Sequence, residues 1–228
     1  MPRFANSFRP MENTMTRTQL FVLTAALTAS IGTNVVAQDT ASTKMSVRPE
    51  SKVTLTGGSN LHDWACRSTS FNATIAVAPA FQTEPLTHVA QPITQISVAI
   101  PVKSLDCGHG KMNDNLYKAL KTTEYPDIKY VLGSYALDSS KSTADSFVAL
   151  TKGELTVAGK TVLVEIPITG TRLDGGAARG EGSVKLLMTD FGIKPPTALL
   201  GTLRTKNEIE VSFRVLLDKS TVVALSQP

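Results

Sequence analysis

His62 and Asp63 are the residues of this chain whose types and adjacency could do acid–base chemistry. Neighbours on an extended strand point to opposite faces, so the two cannot work together on one substrate atom, and no nucleophile motif accompanies them. The ordinary role for such a pair is to satisfy backbone groups at a strand end. A second set is formal: His62, Cys66, Cys107 and His109 supply two imidazoles and two thiols, the donor types that hold zinc. Their spacing matches no familiar zinc finger. In an oxidising compartment the two cysteines would pair instead. The reading is therefore a Cys66–Cys107 disulfide, no metal and no catalytic residue. Asp190-Phe191-Gly192 has the letters of the kinase metal-binding triplet, but neither a Gly-rich loop nor a catalytic-loop motif goes with it. Gly192 is read as a bend, Phe191 as buried, and Pro195-Pro196 as fixing the direction of the loop that follows.

The elements that must position these residues are strands. Phe71, Ala73, Ile75 and Val77 share one face, as do Ile96, Val98, Ile100 and Val102. The pattern returns at Val162, Val164, Ile166 and Ile168, at Val184, Leu186 and Met188, and most cleanly at Ile209, Val211, Phe213 and Val215. Weaker strands are read at 52–56, 127–137 and 147–157. One apolar and one polar face per strand means an antiparallel sheet wet on one side. Ala158-Gly159-Lys160 and Asp174-Gly175-Gly176 read as tight connections, and 139–145 as a polar loop. About eight such strands suggest a barrel, because closure removes unpaired edges. One helix is predicted over 111–121, from Met112, Leu116, Ala119 and Leu120, with Asn113 or Asp114 as its cap and Tyr125-Pro126 as its far limit. It would lie near the barrel mouth, where Lys111, Lys118 and Lys121 could steer the protein to an anionic membrane surface, meet a ligand phosphate or simply face solvent. A short helical turn is expected at 196–200. His88 reads as a surface residue.

Residues 1–37 read as a secretory signal peptide. Arg17 precedes the apolar run 20–27, and Val35-Val36-Ala37 sets small residues at a cleavage site. The run is too short for a bilayer, which needs roughly 20 residues. Met11 and Met15 are alternative starts, and no cysteine follows the run to carry a lipid anchor. The domain is then 38–228, exported to the periplasm or beyond. The net charge of +4 and the absence of a dense Lys/Arg run argue against nucleic acid. Aromatics make up 6% of the chain, so small inward residues leave room. A small barrel nevertheless either fills its interior with side chains or holds one ligand, and on pattern alone both are open.

The ordered set of motifs resembles the YceI-like family of exported lipid-binding barrels. It comprises Leu61-His62-Asp63-Trp64, the segments 98–105 and 111–121, Gly153-Glu154-Leu155-Thr156-Val157-Ala158-Gly159, and Asp190-Phe191-Gly192 with the Pro-Pro and Leu-Leu-Gly after it. The resemblance runs from about Val53 to Leu217. It implies a lipocalin-like antiparallel barrel around an elongated apolar cavity, a long-chain amphiphile such as a polyisoprenoid or isoprenoid quinone as ligand, no cofactor and no catalytic residues. The two cysteines depart from the commonest family pattern. With the family's ligand class in mind, Trp64, Ile75, Ile100, Leu116, Tyr117, Phe191, Leu199 and Phe213 are the expected cavity-lining, ligand-binding residues. The expected role is transport or storage of lipid, with transient membrane contact, and a dimer is possible. The alternative is an envelope stress or interaction module whose cavity is incidental.

Overall fold

The computed structural model describes residues 42–198 and 202–220; the proposed signal peptide lies outside them. Alternation becomes eight antiparallel staves closed into a ring. Two of the staves are broken. β1 (Thr43–Val47) and β2 (Lys52–Ser59) lie end to end along one edge of β11 (Leu203–Lys219), interrupted where Arg48-Pro49-Glu50 turns. β3 (Asp63–Ser68) and β4 (Asn72–Val77) follow in the same way, β3 on β2 and β4 on β1. The ring continues through β5 (Ile93–Pro101), β6 (Asp127–Leu137), β7 (Ser146–Val157), β8 (Lys160–Arg172) and β9 (Ala178–Leu187), and β9 pairs with the other edge of β11. The broken staves were only partly visible in the sequence: β2 and β4 were read as strands, whereas β1 and β3 are too short and irregular to show a sustained period.

Connections follow local chemistry. β7 and β8 are joined by the two-residue turn Ala158-Gly159, in which both residues have positive φ (48° and 81°). That is the twist a tight hairpin requires, and Gly159 supplies it without a Cβ. Helix α2 spans Gly110–Ala119, one residue earlier than expected at its start. Neither Asn113 nor Asp114 caps it. Asn113 instead accepts from the Cys107 amide (2.7 Å) and donates to Asp106 Oδ1 (2.9 Å), so it braces the loop that leads into the helix. No helical turn forms at Pro196; Thr197–Ala198 make a short strand, β10, on β11. A 3₁₀ turn forms earlier, at Met188–Phe191.

The end of the barrel where β11 finishes is plugged. Helix α1 (Ala80–Thr83) carries Phe81 into a cluster with Met45, Val77, Leu86, Phe147 and Leu217. Arg172 holds this closure in place by donating to the carbonyls of Phe81 (2.9 Å), Glu84 (2.7 Å) and Ala144 (3.1 Å) and to Asp145 (2.8 Å). His88 is exposed there. At the opposite end, β8 and β9 pair only through 168–172 and 178–182. Beyond that point the staves separate, and Pro167, which has no N–H to donate, stands where the ladder stops. Phe191 and Ile193 close the seam, buried with Val164 and Ile166. Gly192 between them has φ 70°, the left-handed bend that turns both side chains inward. Phe191 and Gly192 of the Asp190-Phe191-Gly192 signature thus seal the wall.

Candidate functional site: an apolar lumen with one polar mouth

The ring encloses a cavity of about 960 Å³, at the upper end of the roughly 300–1,000 Å³ typical of small-molecule pockets. Its walls are the inward faces predicted from alternation: Ala73 and Ile75 of β4, Ile96, Val98 and Ile100 of β5, and Ile209, Val211, Phe213 and Val215 of β11. Large rings do not fill it because several are laid against the wall. Trp64 lies over Gly57, Phe147 over Gly170 and Phe213 over Gly182, each pair directly opposed across neighbouring strands.

Of the eight residues expected to line the cavity, Trp64, Ile75, Ile100, Leu116, Phe191 and Phe213 do so. Tyr117 does not. It sits beside the lining face of α2, and its hydroxyl bonds the carbonyl oxygens of Lys103 (3.0 Å) and Leu105 (2.9 Å). Its role is to seat the helix on the preceding loop. Leu199 falls outside the described residues. Tyr130 and Thr151 put a polar spot in the apolar wall. The tyrosine donates to the threonine Oγ1 (3.2 Å), which in turn donates to the Ile166 carbonyl (2.9 Å). Burial pushes the Tyr130 hydroxyl above its ordinary pKa, so it stays a neutral donor.

The opening lies at the α2 end. The exposed members of the lining gather there: His62 from the β2–β3 turn, His109, Lys111 and Asn115 from α2 and its approach, and Thr197 of β10. The plugged end contributes buried residues such as Val77, Phe81 and Leu217. Ser59 shapes the turn: its Oγ accepts from the amides of Leu61 (3.1 Å) and His62 (3.0 Å) and donates to the His62 carbonyl (2.8 Å). Asn60 ties the turn to the start of β11, donating to the Thr202 carbonyl and accepting from the Arg204 amide, both at 2.8 Å. Backbone satisfaction therefore falls to Ser59 and Asn60, not to the His62 and Asp63 side chains expected to provide it. Cys66 and Cys107 form a disulfide. It binds β3 to the loop before α2 beside a backbone pair in which the Arg67 and Asp106 amides each donate to the other's carbonyl (both 2.8 Å). Sequence reasoning missed Asn115 and the lining role of His109. The 111/115/119 spacing on one helical face was the available signal.

These features, a closed antiparallel ring, an apolar lumen and one polar mouth, define a lipocalin-like barrel. The model of the YceI-like domain matches residues 39–217, and the chain belongs to that family. Its fold is similar to that of BcnA from Burkholderia cenocepacia (TM-score 0.59, 20% identity, 75% of this chain and 99% of that one). It is also similar to a polyisoprenoid binding domain from Saccharophagus degradans (TM-score 0.56, 12% identity, 78% and 99%). A YceI protein from Campylobacter jejuni aligns over 89% of this chain and 100% of its own (TM-score 0.50, 15% identity). At these identities the likeness is one of fold. No curated protein matches the chain.

Proposed function

We propose that this protein is an exported carrier or store for a long-chain amphiphile of the polyisoprenoid class, which it binds without catalysing a reaction. The observation that carries the reading is the lumen: about 960 Å³, walled almost wholly by aliphatic and aromatic side chains and open at one end. Each methylene moved out of water into such a lumen gains about 0.8 kcal/mol. A bilayer offers the same gain, so exchange between membrane and barrel is nearly balanced and a lipid can be both loaded and released. The polyisoprenoid-binding neighbour and the family support the ligand class. The disulfide supports export, since such bonds persist in oxidising compartments. The test is native mass spectrometry of purified protein, followed by delipidation and incubation with vesicles containing a prenyl lipid. Recovery of a bound lipid and its re-uptake are expected. A barrel that purifies empty and takes up nothing would leave the interaction-module reading in its place.

A further inference from the structure

The exposed members of the lining are all polar and stand at the mouth, whereas the strands below contribute mainly apolar side chains. On α2, exposed Lys111 and Asn115 stand at the rim beside Met112 and Leu116, and Leu120, just past the helix, is buried. On the β2–β3 hairpin, His62 at the turn gives way to Trp64. On β11, Leu203 and Thr205 at the rim lead into a wholly apolar lining from Ile209 to Leu217. The lumen is therefore polar and exposed at its rim and apolar along most of its length.

The polar end also has a sign. No aspartate or glutamate is among the cavity-lining residues, whereas Lys111 and Arg179 are. Arg179, the second residue of β9, lies at the plugged end and is paired with Glu181 at 3.0 Å. The side chains of Lys111, His62, His109 and Asn115 have no hydrogen-bond or ion-pair partner among the described residues. A cation and three further potential donors thus ring the opening without an acceptor. Charge-assisted bonds to an oxyanion would satisfy them.

We propose that the mouth selects amphiphiles with an anionic head group, held by Lys111 together with His62, His109 and Asn115, while the tail fills the lumen. This rests on the carrier reading above. The test uses delipidated protein and two ligands with the same tail, geranylgeranyl phosphate and geranylgeraniol. Binding is read from the emission of Trp64, the single tryptophan of the chain, which lines the lumen. The phosphate is expected to bind at least about tenfold more tightly than the alcohol, and the combined variant H62Q/H109Q/K111Q should bring the two within about threefold. Equal affinities in the unaltered protein would overturn the head-group proposal and leave the carrier reading standing. No binding of either ligand would overturn both. Inorganic phosphate alone is expected to leave the emission unchanged, because the tail supplies most of the binding; a response to it would indicate a simple ion site and overturn the proposal.

Discussion

Gly57 keeps the lumen open by what it lacks. A Cβ there would run into the six-membered ring of Trp64, which faces it across β2 and β3. Glycine inside a strand costs roughly 0.5–1 kcal/mol relative to alanine, and here the cost permits a large ring to lie along the wall instead of across the cavity. Gly57→Ala is expected to push the indole into the lumen, shift its emission and weaken prenyl-lipid uptake, with a stability loss of about 1–3 kcal/mol from overpacking. Unchanged emission and uptake would show that the ring has another resting place. Asp106 offers a second residue-level test. Donation from Asn113, and then from the Gly108 amide, holds its carboxyl below the ordinary aspartate value against a smaller opposing desolvation. A depressed folded pKa gives stabilisation that is present above the unfolded value and lost as pH falls through the folded one. The Gly108 amide resonance is therefore expected to titrate with a midpoint below about 3.9, and a midpoint at or above that value contradicts the arrangement. Tyr117 shows where residue-level reading of the sequence stops. Its face on α2 and the family's ligand class assigned it to the cavity, but the carbonyls that capture its hydroxyl belong to a loop whose path no local pattern fixes.

Among the elements, α2 depends most on a covalent link. It follows a loop held by the Cys66–Cys107 bridge, and the bridged cysteines are 41 residues apart. In the chain-entropy account, closing a loop of that length destabilises the unfolded chain by about 4 kcal/mol. Reduction, or replacement of both cysteines by serine, is expected to lower the urea midpoint accordingly; a midpoint that does not move would mean that the bridge constrains nothing the fold does not already constrain. Cysteine count and expected compartment made this pair legible in the sequence. Long strands were legible as well. β5, β8, β9 and β11 each bury one face, and a period of two reports that directly. The short pieces β1 and β3 were not legible as strands, since five or six residues that alternate imperfectly look like loop until their long-range partners β11, β4 and β2 are known. The seam between β8 and β9 was hidden for a related reason. Nothing local in Phe191 and Ile193 reveals that they fill a gap between strands.

At the scale of the whole molecule, alternation states which side chains point inward but not whether they meet. That is why a filled core and a lumen were indistinguishable in the sequence, and why the glycine–aromatic pairs and the capped end decide it. The cap also sets a length. The β11 lining from Ile209 to Leu217 covers about 27 Å of strand at ~3.4 Å per residue, or about 20 Å along the axis at a tilt near 40°. Phe81, 2% exposed, forms the floor. With ligands of one head group and increasing tail length, affinity should climb by about 0.8 kcal/mol per methylene while the tail still finds lumen, and then level off when it meets the floor. Phe81→Ala should move that plateau to longer tails, at a cost in stability of about 3–5 kcal/mol; Phe81→Leu should move it in the same direction by less, with a smaller loss of stability. The measurement is a titration of each variant against the tail series, with chemical denaturation to confirm that the protein tested is folded. A plateau at the same tail length in all three proteins would mean that the floor lies elsewhere and that α1 serves only to stabilise the barrel end.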